Sequence, residues 1–162
     1  MAVIGLDVGT AGCKATVVHE DGTVLASAYR PYSLSAPGPG MAELDPNVVW
    51  CSVCAVLAEA ARGQDVRAIA IASLGESFVC LDENDAVLAP ALLYSDVRGA
   101  DEAEEIKSAI PLEELFAITG MPLNPMYTLC KLLWARKHAD YLNRARRIML
   151  FGDYIGYMLT GE

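Results

Sequence analysis

The stretch Val3-Ile4-Gly5-Leu6-Asp7-Val8-Gly9-Thr10-Ala11-Gly12-Cys13-Lys14-Ala15-Thr16-Val17-Val18 decides how the rest of the chain is read. An apolar run ends at an acid, Asp7, and a Gly-bearing tetrapeptide follows before a second β-branched run begins. The pattern predicts a strand, a tight turn and a returning strand. Glycine in such a turn lets backbone N–H groups approach an anion such as phosphate without a side chain in the way. An acid beside the turn could hold a magnesium ion, directly or through water. The same residues also fit an ordinary hairpin in which Asp7 only caps the turn. Two other phosphate motifs are excluded: there is no Gly-x-x-x-x-Gly-Lys-Ser/Thr and no Gly-x-Gly-x-x-Gly leading into a helix.

Working outward, Asp21-Gly22 marks a turn, and residues 23–29 read as a third strand, making an antiparallel meander. Residues 32–43, with Pro37-Gly38-Pro39-Gly40, read as a loop. Asp45 offers an N-cap and Pro46 a first helical position for a helix running to about Arg62. Val66–Ser73 (VRAIAIAS) is nearly continuous in apolar residues, the pattern of a strand buried on both faces. Residues 78–81 and 87–93 read as extended segments around the turn 82–85, with Pro90 confining the second to an edge or an irregular path. Helices are expected at about 97–109, 112–118, 127–138 and 151–159, with a short strand at 147–150. In the third of these helices Leu129, Leu132, Leu133 and Arg136 set out one greasy face. Three antiparallel strands, a helix and a buried strand begin a ribonuclease-H-like α/β unit with a mixed sheet and flanking helices.

With 162 residues, 54% of them hydrophobic, the chain can bury the core of one ordinary domain. Its net charge of −9 argues against nucleic acid and anionic membranes as partners, and no stretch approaches a membrane span. The expected setting is cytoplasmic. Five cysteines, an odd number, fit a reducing compartment and not a disulfide framework. Cys51-Ser52-Val53-Cys54 lies inside a predicted helix without a second ligand pair, so both thiols are expected to be buried and structural.

Six segments, taken in order, resemble the FGGY carbohydrate kinases. Gly5-Leu6-Asp7-Val8-Gly9-Thr10 is similar to the family's first phosphate motif, and Glu43-Leu44-Asp45-Pro46 with Trp50 to its Glu-Gln-Asp-Pro…Trp stretch. Ser73-Leu74-Gly75-Glu76-Ser77 stands where sugar-contacting residues follow a strand. Leu88–Arg98 resembles Leu-x-Pro-Ala-Ile-x-Trp-x-Asp-x-Arg. Lys131-Leu132-Leu133-Trp134 matches a helix motif, and Asp153-Tyr154…Leu159-Thr160-Gly161-Glu162 resembles the segment Asp-Tyr-x-x-x-x-Leu-Thr-Gly-Glu.

The resemblance implies an actin/sugar kinase fold and ATP-dependent phosphorylation of a sugar or polyol hydroxyl, with Mg²⁺. Family members are longer. The chain is therefore expected to be the N-terminal part of the first kinase domain, inactive alone, with the proton-accepting aspartate and the adenine site beyond Glu162. Apolar surface left exposed would favour self-association into a homo-oligomer. The competing reading is a stand-alone, non-catalytic sugar-binding or interaction module.

By resemblance Asp7 orients Mg²⁺ and water at the transferring phosphate. Gly9, Thr10, Ala11 and Gly12 form the phosphate loop, with backbone N–H donors from Thr10, Ala11 and Gly12 and the Thr10 hydroxyl. Lys14 either approaches the phosphates or is a solvated strand lysine. Gly75 and Glu76 belong to the sugar pocket, where a carboxylate accepts hydroxyl hydrogen bonds. Glycerol-kinase-like members have Arg where Gly75 stands and xylulokinase-like members have a His nearby, so the sugar is left open. Tyr94 replaces a Trp that could stack on a sugar face. Asp96 and Arg98 either contact substrate or pair with each other. Tyr127 either contacts substrate or packs at a helix start.

Overall fold

The computed structural model describes residues 1–162. The elements in chain order are β1 (Ala2–Val8), β2 (Gly12–His19), β3 (Val24–Pro31), β4 (Glu43–Leu44), α1 (Pro46–Ala60), β5 (Val66–Ser73), β6 (Phe78–Leu81) and β7 (Ala91–Leu92). They continue with α2 (Ala100–Ala109), α3 (Leu112–Thr119), α4 (Thr128–His138), α5 (Tyr141–Arg144), β8 (Arg147–Leu150) and α6 (Phe151–Thr160). None of the helices is long and apolar enough to cross a membrane.

The chain divides into two compact units, the first formed by Met1–Leu34, Leu44–Gly75 and Met149–Glu162. Its sheet runs β3-β2-β1-β5, with β1, β2 and β3 antiparallel and β5 parallel to β1. That mixed sheet is the ribonuclease-H-like arrangement expected from the sequence. The alternation in β1 is strict: Ala2, Ile4, Leu6 and Val8 are buried, whereas Val3, Gly5 and Asp7 are exposed. Ile4, Leu6 and Val8 stand opposite Val17, Ala15 and Cys13 of β2, so one face is apolar throughout. Helix α1 packs on β2 and β3 through a stripe of Val49, Val53, Val56 and Ala60. Asp45 caps it as the sequence predicts, its carboxylate accepting from the Asn47 N–H at 2.8 Å, with Pro46 at the first position.

Two expectations fail in this unit. Strand β5 is not buried on both faces; from Arg67 to Ser73 every residue is exposed, Ile69 and Ile71 included. It is the edge strand, paired on one side only, so its apolar composition goes uncovered. Cys51 and Cys54 are likewise exposed, because the buried stripe of α1 falls on positions 49, 53 and 56 and leaves both thiols off it.

The second unit comprises Ser35–Glu43 and Glu76–Ile148. It is mostly helical, with short two-stranded pairings of β4 with β7 and of β6 with β8. One apolar cluster joins Ala103, Ile106, Leu115 and Cys130, with Leu123 and Leu133 against it. Another joins Phe78, Cys80 and Ala135, with Leu132, Trp134 and Tyr141. Helix α2 starts at residue 100 and not 97, because Gly99 adopts a left-handed φ of 101°. A Cβ at Gly99 would stand 3.0 Å from the Cys130 carbonyl carbon, so the start is fixed by close backbone approach. Pro90 makes 87–93 irregular: only a bridge at Val87 and the two residues of β7 pair. The fully buried residues of α4 are Cys130, Lys131 and Ala135; of the leucine face read from the sequence, Leu132 and Leu133 pack partly buried against the two clusters, whereas Leu129 and Arg136 are exposed.

Candidate functional site

In the first unit Asp7 is the penultimate residue of β1, on the exposed face of the sheet, directly across from Lys14 of β2 and beside Ala72 of β5. Both Asp7 and Lys14 are solvent-facing. A single open carboxylate suits Mg²⁺, which takes one or two carboxylates and completes its shell with water and phosphate oxygens.

The loop after Asp7 is shaped by its carbonyls. The Gly9 N–H donates to the Gly12 carbonyl at 3.0 Å and closes the hairpin. The Tyr32 hydroxyl donates to the Gly9 carbonyl at 2.6 Å. The Ala11 carbonyl accepts from the Tyr32 N–H at 3.2 Å and from the Tyr29 hydroxyl at 3.3 Å. The carbonyls at 9, 11 and 12 are thus held by protein donors, while the N–H groups of Thr10 and Ala11 carry no backbone bond. Those two N–H groups are open to an anion, whereas that of Gly9 is already engaged. Burial pushes the Tyr32 phenol upward, and the nearby Cys13, Tyr29 and Asp7 add to the shift, so the hydroxyl stays a donor. Gly12 is required by contact: a Cβ there would collide with the Tyr29 hydroxyl and meet the Arg30 carbonyl at 2.7 Å. The clamping role of Tyr29 and Tyr32 was not read from the sequence, since nothing in a strand-end aromatic says which carbonyl it reaches.

Gly75 follows β5 in open space, where a side chain would meet nothing within 4 Å. The remaining sugar-pocket candidates belong to the second unit. Glu76 has a left-handed φ of 55° and is half-buried. Its Oε2 accepts from the Thr128 N–H at 2.7 Å and from the Thr128 hydroxyl at 3.0 Å. The carboxylate therefore caps the N-terminus of α4, where negative charge is favoured. Its other oxygen is left for an outside donor, the arrangement needed to accept a sugar hydroxyl. Tyr94 is half exposed and Tyr127, immediately before α4, is partly buried.

Asp96 and Arg98 pair with each other. Arg98 donates from Nε to Oδ1 at 2.9 Å and from its Nη2 to Oδ2 at 2.6 Å, and its backbone N–H reaches Oδ1 at 2.9 Å. The Ala42 N–H donates to Oδ2 at 2.7 Å, so both oxygens of the buried carboxylate are occupied. The other arm of Arg98 meets Glu43 at 2.8 Å, and its guanidinium lies 5.1 Å from the Trp134 ring centre. Burial alone would raise the Asp96 carboxyl, but the hydrogen bonds from Arg98 and Ala42 outweigh it and hold the group below its usual range. The Asp96 carboxylate in turn holds Arg98 firmly charged.

Lys131 is wholly buried, and its Nζ donates to the Leu93 carbonyl at 2.5 Å and toward the Glu76 carbonyl at 3.5 Å. Burial pulls its ammonium down to about 8, against the opposing influence of Asp96 and Glu76. The sequence marked this lysine only as part of a motif; an isolated cation inside an apolar helix face was the available signal.

The chain is similar in sequence and fold to known proteins. The model of the FGGY family of carbohydrate kinases, N-terminal domain, matches residues 2–162. A xylulose kinase of Escherichia coli is 32% identical over 98% of this chain, and a gluconokinase of Bacillus subtilis is 27% identical over 99%. Among solved structures, a xylulose kinase from Rhodospirillum rubrum superposes with a TM-score of 0.94 at 36% identity over the whole chain. The chain spans about a third of the length of each: 33%, 32% and 34% respectively. The chain belongs to the FGGY family of carbohydrate kinases.

Proposed function

We propose that this chain is the N-terminal part of the first domain of an ATP-dependent kinase that phosphorylates a sugar or polyol hydroxyl. The observation that carries the proposal is the loop Gly9–Gly12, whose carbonyls are bound by Tyr29, Tyr32 and Gly9 while the Thr10 and Ala11 N–H groups stay open beside the exposed Asp7. Phosphoryl transfer depends on positioning and charge neutralisation more than on covalent work by the protein. When bound, Mg²⁺ would neutralise charge on the phosphates, and Asp7 is the residue that would hold it, through water or directly. Thr10 and Ala11 bind phosphate oxygens through their N–H groups, and Lys14, across from Asp7, adds a mobile positive charge.

The second unit supplies substrate recognition. Glu76, fixed through one oxygen by Thr128, accepts a substrate hydroxyl at the other. Tyr94 offers an exposed ring to an apolar sugar face, and Tyr127 lies beside Thr128 at the same helix start. Asp96 and Arg98 serve this site as a fixed internal pair and not as hydroxyl ligands. By the family resemblance, the proton-accepting aspartate and the adenine site lie C-terminal to Glu162.

The relatives are named for xylulose, gluconate and glycerol, so these three compounds form the first substrate panel. The test is ADP release from ATP by the protein that carries this chain together with its second kinase domain. Turnover on one of the panel, dependent on Mg²⁺ and abolished by Asp7→Ala, is expected. Sugar binding without any phosphorylation would instead support the non-catalytic module.

A further inference from the structure

We infer that Lys131 is a positioning residue for the substrate site, tying the Glu76 turn to the Tyr94 segment through the two backbone carbonyls it binds. The inference rests on the proposed role of Glu76 and deepens it. Lysine is an expensive choice here. It is fully buried in α4, one turn from the helix N-terminus, where the helix dipole disfavours a cation. Its stem occupies a face that otherwise holds Cys130 and Ala135, and a leucine would fill that space without the cost.

What the lysine supplies is donors. Its Nζ reaches the Leu93 carbonyl at 2.5 Å and the Glu76 carbonyl at 3.5 Å, two points separated by 17 positions of sequence. Leu93 directly precedes Tyr94, and Glu76 carries the carboxylate assigned to the substrate. Helix α4 thus holds Glu76 twice: Thr128 fixes its carboxylate from the first turn, and Lys131 fixes its carbonyl from the next position along the same face. The left-handed backbone of Glu76, uncommon for a residue with a Cβ, is held in place by both contacts. The titratable groups that face the ammonium are Asp96, Glu76, Cys130 and Arg98, and the two carboxylates favour its charged form.

The experiment uses Lys131→Met, which retains a flexible stem and removes every donor. One readout is amide hydrogen exchange at Glu76, Ser77, Tyr94 and Ser95 in this chain. The other is steady-state kinetics of the protein carrying it, with the best compound of the xylulose, gluconate and glycerol panel. Expected are exchange at least tenfold faster at these amides and a sugar KM raised at least tenfold, with kcat and the ATP KM within about twofold of wild type. Unchanged exchange in Lys131→Met overturns the inference. A sugar KM unmoved by Lys131→Met but raised by Glu76→Gln would overturn it too, with the role of Glu76 intact. A sugar KM moved by neither variant would overturn the reading of Glu76 itself, and the inference with it.

Discussion

Asp7 and Lys14 face each other across β1 and β2, on the solvent side of the hairpin, opposite the face that buries Ile4, Leu6, Val8, Cys13, Ala15 and Val17. The pairing follows from the hairpin register, which sets Val8 against Cys13 and Leu6 against Ala15 on the buried side. A one-residue slip would exchange the two faces, so the closure at Gly9 and Gly12 is what delivers an acid and a base to the same open surface. Substitution of Asp7 by Asn should lower kcat by about 100-fold or more in the protein carrying this chain, with the sugar dissociation constant unchanged. Lys14→Ala should raise the ATP KM and leave the sugar KM alone. Isothermal titration with sugar and steady-state kinetics with ATP separate the two effects.

Gly12 tests the loop without touching any ionisable group. A methyl there collides with the Tyr29 hydroxyl and the Arg30 carbonyl, and the carbonyl belongs to a paired strand that cannot swing aside. Gly12→Ala should cost about 1–3 kcal/mol of stability. Thermal unfolding of the isolated chain reads this directly, and Gly5→Ala, with nothing within 4 Å of its Cβ, serves as the control.

The Glu43–Arg98–Asp96 group predicts an acid sensitivity. Replacing Arg98 by Met leaves the buried Asp96 and the nearly buried Glu43 without their cation, a loss of about 3–5 kcal/mol at neutral pH. Because Asp96 is held below its ordinary range, its contribution is fully present above about pH 4, the usual carboxylate value, and fades as pH falls through the lower folded value. Urea denaturation followed from pH 7 to pH 2 should therefore show this stability lost only below about pH 4 in the wild-type chain, and a shallower acid loss for Arg98→Met.

How far the sequence reaches is clearest at three places. Alternation and turn chemistry made β1, β2 and β3 legible, since a single buried face imposes period two on the residues. The same logic misread VRAIAIAS, because a continuous apolar run records what a strand is suited to face and not what actually covers it. In α4 the sequence shows Lys131 as an isolated cation on an apolar face, but not what it binds, because the two carbonyls that receive it come from other segments. The candidate residues at Asp7 and Glu76 were legible by motif. The internal pairing of Asp96 with Arg98 had to be decided by geometry, as two residues of opposite charge at i and i+2 are compatible with either role.

The cysteines give a last test, one that bears on α1 and on both units independently of any activity. Cys51 and Cys54 lie off the valine stripe of α1 and are exposed, whereas Cys13, Cys80 and Cys130 are buried. Burial pushes the Cys80 thiol up to about 11 and raises those of Cys13 and Cys130 as well, which keeps them protonated and unreactive near pH 8. Burial also raises Cys54, aided by the neighbouring Cys51, but leaves its thiol exposed to reagent. Titration of the folded chain with a chromogenic disulfide reagent should release colour from Cys51 and Cys54 quickly and from the other three only on unfolding. Cys51→Ser and Cys54→Ser should each remove one rapid equivalent, while rapid reaction of Cys13, Cys80 or Cys130 in the folded chain would contradict the packing of β2, β6 or α4.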